Sequence, residues 1–158
     1  MATWATRPIA PVKRLDGYTF VTYPLAASED FERGALVLRD SDGNIAECGA
    51  DPASIAGVAL AAVADYAWQD DTFGKVSPRV PVATADQEFR GTLVGTYEAT
   101  DVGASYGVVD SSGTWVIDKT ETSNTRVQIV GVDDEVAVGD VNPPVRFVFL
   151  VANRQVIS

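Results

Sequence analysis

The 158-residue chain has no histidine and one cysteine, Cys48. Without imidazole it has no Ser-His or Cys-His nucleophile pair, no histidine-ligated metal and no base titrating near neutrality. A single cysteine makes neither an internal disulfide nor a multi-cysteine zinc site, and Cys48 reads as a small apolar filler on a strand. No apolar run approaches the ~18 residues of a membrane-spanning helix. The opening MATWATRPIAPVKRL has no apolar stretch of the kind a secretory signal carries, so neither membrane insertion nor secretion by that route is expected. Positive charge is scarce: 12 Lys and Arg stand against 22 Asp and Glu, for a net charge of −10. Duplex nucleic acid is bound by cations that displace counterions, so direct nucleic-acid binding is not expected. A phosphate loop is missing too, since Gly91-Thr-Leu-Val-Gly95 has no following lysine and sits in a strand context. No segment sustains a 3.6-residue apolar period over a helix length.

What remains is a strand grammar. The chain is 46% hydrophobic, enough for a real core, with 13 Gly and 8 Pro spaced between short β-branched and aromatic runs. Strands are expected at 18–23, 35–39, 45–48, 55–64, 80–83, 89–97, 106–109, 114–118, 126–132 and 145–151. Pro81 places the run at 80–83 on an edge or at a strand start. In 145–151, Phe147 and Phe149 share one face and Arg146, Val148 and Leu150 the other. Residues 28–33 read as a polar segment, one helical turn capped by Ser28 with Phe31 anchoring it. Residues 65–77 read as a loop whose Tyr66, Trp68 and Phe73 either pack as a lid over a barrel end or face a partner.

The stretch 34–60 organises the chain: strand, tight turn, strand, an Asp51-Pro52 hinge and an apolar run. Much of it recurs. Asp40-Ser-Asp-Gly43 matches Asp110-Ser-Ser-Gly113, and Ile55-Ala-Gly57-Val58 matches Val130-Gly131-Val132. The expected fold is therefore all-β: two related small β-barrel or β-tulip-like modules, at 16–87 and 88–158, preceded by an extended arm at 1–15. That arm carries Arg7, Lys13 and Arg14 and no acid, so the rest of the chain is three charges more negative than the whole. Pro8 and Pro11 disfavour helix there and allow an edge-strand path. Trp4, Ile9 and Val12 are apolar anchors that point to an arm ordering against a neighbour, the plain alternative being a disordered terminus.

The acidic groups are weak sites. Asp40-Ser-Asp42-Gly43-Asn44 opens like a calcium loop, but Asp51 stands where an EF-hand needs a bidentate glutamate, and strands flank it. A hairpin turn is the stronger reading. Asp133-Asp134-Glu135 and Asp70-Asp71 read as solvated turns rather than metal ligands. Asp110, Asp118 and Glu121 are close in sequence, and paired carboxylates can run glycoside hydrolysis. Nothing in the sequence sets their spacing, so no enzyme activity, metal or cofactor is expected.

The run FERGALVL at 31–38, the turn at 40–44, Ala50-Asp51-Pro52 followed by Ile55-Ala-Gly57-Val58, and Val80-Pro81-Val82 together resemble the head-decoration, or cement, proteins of tailed bacteriophages. The likeness covers about half the chain and is a pattern rather than a signature motif. The C-terminal half shares it only through the repeat and through turns such as Tyr106-Gly107 and Ser112-Gly-Thr-Trp115. The resemblance implies a structural virion protein, made in the host cytoplasm and seated on the outer capsid surface. Such a protein binds the major capsid protein and stabilises the expanded shell. It also implies homotrimers and an N-terminal arm that touches the shell; two modules in one chain leave monomer and dimer open beside the trimer. The expected capsid-binding residues are Trp4, Arg7, Ile9, Val12, Lys13 and Arg14, with Tyr66, Trp68 and Phe73 as subunit or shell contacts. The rival reading is a virion or tail-associated adhesion module, with Trp68 and Trp115 stacking on a host surface glycan.

Overall fold

A computed structural model describes residues 1–13, 15, 17–69 and 78–155, with side chains for all of these but 67–69. The fold is all-β. It contains a five-stranded mixed barrel and a separate five-stranded antiparallel sheet, with no α-helix among the described residues.

The first sheet is built from β2 (Phe20–Pro24), β3 (Leu36–Arg39), β4 (Ile45–Glu47), β5 (Gly57–Ala59) and β6 (Arg79–Thr84). Their order across the sheet is β2-β6-β5-β3-β4. A single parallel bridge, Leu25 to Ile45, links the two ends. The barrel is built from β7 (Glu88–Val94), β8 (Ser105–Ser111), β9 (Thr114–Asp118), β10 (Val127–Gly131) and β11 (Pro144–Phe149). Its order is β7-β11-β10-β8-β9, closed by a parallel pairing of Leu93 with Ile117 and Val94 with Asp118. Strand for strand, the two orders follow one rule. The first strand lies beside the fifth, the fifth beside the fourth, the fourth beside the second, and the second beside the third. In both, the parallel contact joins the first strand's C-terminal end to the third strand.

The two Asp-Ser-Xaa-Gly turns differ in build. At 110–113, Ser112 and Gly113 both take positive φ (54° and 92°) between the paired Ser111 and Thr114, a two-residue connection. At 40–44, only Gly43 does (84°), and Asp40 N–H donates to Asn44 O, giving a three-residue connection.

The N-terminal segment is laid along the barrel. β1 (Ala10–Pro11) pairs with Arg90 and Phe89, occupying the part of β7's edge that β9 does not cover. Ile9 is 1% exposed and belongs to a continuous buried cluster drawn from both sheets, with Phe89, Phe147 and Phe149 in mutual ring contact at 5.2–6.0 Å. The chain's other end crosses back to the first sheet. Ile55 N–H donates to Asn153 O, Gln155 N–H donates to Ile55 O, and the Gln155 amide bonds both the N–H and the C=O of Arg39.

Three local expectations are corrected. Residues 28–33 form no helical turn: Ser28 takes φ 65°, and six residues offer too few bonds to nucleate a helix. Phe31 is nonetheless buried. The strand expected over 55–64 stops at Ala59, and Val63–Gln69 winds into a 3-10 helix inside what reads as strand end and loop. Pro81 lies in an interior strand, because β6 runs between β2 and β5. Its missing N–H faces Leu60, one residue beyond the end of β5, so the ladder forgoes one bond at its end while Leu60 N–H still donates to Pro81 O.

Candidate functional site

The surface gathered around the N-terminal segment is the best-built candidate site. Asp140, 3% exposed, anchors it. One carboxylate oxygen accepts Ala2 N–H at 2.9 Å; the other accepts Trp4 Nε1–H at 3.0 Å and Ala137 N–H at 3.0 Å. These donors, led by the Ala2 amide, hold its carboxyl down to about 2. Backbone bonds between Ala2 and Val141 and between Trp4 and Val141 extend the clamp, and Arg7 N–H donates to Thr92 Oγ1. Further along, Ile9 passes between two glycines. A Cβ on Gly34 (φ 91°) would sit 2.8 Å from Pro8 Cβ, and one on Gly91 would sit 3.0 Å from both Ile9 Cγ1 and Phe147 Cε1. Both positions are glycine because the segment needs that space.

Between this segment and the barrel lies an open cleft of about 510 Å³. Its cations are Arg7, Arg33 and Arg90; its acids are Asp133 and Glu135. Arg90 is held by Asp133 at 3.1 Å, while Arg7 and Arg33 form no ion pair among the described residues. Of the expected arm residues, Arg7 and Lys13 are exposed, Trp4 and Val12 are half-buried, and Ile9 lies in the chain's own core. Arg14 and Phe73 lie outside the described residues, as does the side chain of Trp68; Tyr66 is half-buried. Arg33 and Arg90, distant in sequence, join Arg7 only through the fold. No local signal marks them, although Gly34 beside Arg33 hints at a close approach.

A second cleft, of about 420 Å³, brings Asp110, Asp118 and Glu121 together with Asp51, Cys48 and Trp115. Each of the first three is occupied in its own turn: Asp110 accepts Gly113 N–H, Asp118 accepts Thr120 N–H and Glu121 accepts Ser123 and Asn124 N–H. Asp40 likewise accepts Asp42 and Asn44 N–H, the bonding of a hairpin turn. Among the described residues, no group of three or more acids or cysteine could hold a metal ion. Trp115 is 2% exposed, with its Nε1–H donated to Glu47 at 3.0 Å, so it presents no face for a sugar. Burial, reinforced by Glu47, pushes the Cys48 thiol up to about 12, which makes it a poor nucleophile.

A buried polar knot near Ala99–Asp101 escaped the sequence reading. Asp101 accepts the Tyr106 hydroxyl at 2.5 Å, Glu98 N–H at 2.8 Å and Lys119 Nζ at 3.0 Å. Burial alone would raise the Asp101 carboxyl, but these donors outweigh it and hold it low. Burial and Asp101 together push the Tyr106 hydroxyl up to about 12. The knot has no exposed reactive atom at its centre and pins the loop between β7 and β8.

No family model, curated protein or solved structure matches this chain. The likeness to capsid-decorating proteins rests on the pattern of residues set out above.

Proposed function

We propose that this chain is a structural virion protein that decorates and stabilises a capsid by binding the major capsid protein. The observation that carries this reading is the grouping of Arg7, Arg33 and Arg90 beside the N-terminal segment, with Lys13 exposed further along it, on a chain of net charge −10. A small cationic cleft on an acidic body is a docking pattern for an acidic surface. The body is read as two related β-modules, 16–87 and 88–158, each a small barrel, and the shared strand order supports their common origin. The protein works on the outer capsid surface as a homo-oligomer and carries out no catalysis.

The structure shapes the test. Deleting residues 1–15 would remove Ile9 from the core and the bonds to Asp140, so it would report on folding before binding. Charge reversal of the exposed Arg7 and Arg33 leaves those contacts in place. Arg7→Glu with Arg33→Glu should keep the wild-type circular dichroism spectrum and lose co-sedimentation with expanded capsids. Binding at unchanged affinity rejects this docking site.

A further inference from the structure

We propose that the free edge of β2 is a self-association surface, where two copies of this chain pair strand to strand about a two-fold axis. β6 already uses one set of the backbone groups of β2. Leu25 N–H donates to Pro78 O and Thr84 N–H to Thr19 O, so the bonded partners along this pair are residues 19, 21, 23 and 25. Phe20 and Thr22 therefore turn their N–H and C=O groups away from β6, to the open side. Among the described residues only the Thr22 carbonyl has a partner there, Arg79 Nη2 at 2.9 Å.

The opposite edge of the same sheet is handled differently. On β4, Ile45 O accepts Ala26 N–H and Glu47 N–H is capped by the Glu29 carboxylate. Among the described residues β2 has no such cover from Phe20 to Thr22; it meets β4 beyond its end, at Leu25 and Ala26. Phe20 is 55% exposed, Tyr18 42% and Val21 38%, and the Tyr18 and Phe20 rings lie 6.3 Å apart. An apolar, aromatic edge with unused donors and acceptors is a template for another strand.

Charge selects the occupant. Every residue from 17 to 28 is uncharged, on a chain of net −10 whose copies repel over most of their surfaces. Along β2 two copies meet without opposing acids. The hydrogen-bonding pattern is also self-complementary. With Phe20 of one copy opposite Thr22 of the other, each N–H finds the other's carbonyl, and the two Val21 side chains face one another at the axis. The Thr22 carbonyl keeps Arg79 on its second lone pair. The two five-stranded sheets become one continuous sheet.

The test uses the full chain. Sedimentation across a concentration series should give the mass of a dimer; a monomer at every concentration, or a trimer, overturns the proposal. Phe20→Glu leaves the core untouched and should remain folded by circular dichroism while weakening the dimer by at least about tenfold. An undiminished dimer overturns it. Val21→Cys should form a covalent dimer under mild oxidation, well ahead of a control cysteine at the comparably exposed Val130 on β10. Equal cross-linking of the two variants also overturns it.

Discussion

Asp140 clamps the N-terminal segment to the barrel, and nothing in Val-Gly-Asp140-Val marks it in advance. A carboxylate in a glycine-flanked turn reads as solvated. Here it lies buried, with N–H donors from residues 2, 4 and 137 converging on it. Its carboxyl is lowered from an ordinary 3.8 to about 2, so the charged form is favoured by folding. That contribution is fully present above 3.8 and is lost as pH falls towards 2. Acidification through this window should release the N-terminal segment, seen as a change in Trp4 fluorescence or its indole N–H resonance. In Asp140→Asn the segment should already be loosened at neutral pH and the acid step absent. Identical acid titrations of variant and parent would remove Asp140 as the anchor.

At the scale of elements, the same segment shows where sequence reading succeeds and fails. Residues 114–118 have the same bounds in the sequence reading and the structure, because the β-branched and aromatic run Thr-Trp-Val-Ile is closed on both sides by turn residues. Phe147 and Phe149 face the core as the alternation of 145–151 requires. The arm was legible as extended, basic and anchored by apolar residues, but not as laid on its own barrel. Pairing partners are non-local, and Ile9 finds its slot only once Gly34, in the turn before β3, and Gly91, in β7, are brought together. The 3-10 helix at Val63–Gln69 failed for the opposite reason: Val63 and the alanines suit either state, and tertiary context decided. The slot gives a sharp expectation. Ile9→Ala should cost about 2–5 kcal/mol in denaturant unfolding, as for other buried large-to-small changes. Gly91→Ala should cost about 1–3 kcal/mol, because its Cβ meets Ile9 and Phe147 together. If Ile9→Ala is neutral, the segment is not part of the core.

At the scale of the whole molecule, the two surfaces inferred above differ in physics, and that difference is measurable. Each terminus ties the unit it belongs to onto the other: residues 1–11 reach the barrel past Gly34, and residues 153–155 reach back to Arg39 and Ile55. The outer faces of β2 and of the arm cleft are therefore carried by one body of net charge −10. Docking of Arg7 and Arg33 on an acidic shell is an attraction between opposite charges, so salt must weaken it. Pairing of β2 with its copy brings two acidic bodies together along strands that carry no charge of their own, with the Arg79 guanidinium of each copy beside Thr22 and no acid on residues 17–28 to oppose it. Salt screens their mutual repulsion and leaves backbone hydrogen bonds and apolar contact largely intact, so it must strengthen the pairing. Between about 20 and 200 mM salt, where the Debye length shortens roughly threefold, the dimer should tighten while capsid binding loosens. Measuring both on one preparation separates the surfaces without any mutation. A dimer that weakens with salt is held by ion pairs and not by β2, and capsid binding that strengthens with salt does not run through the arginines of the cleft.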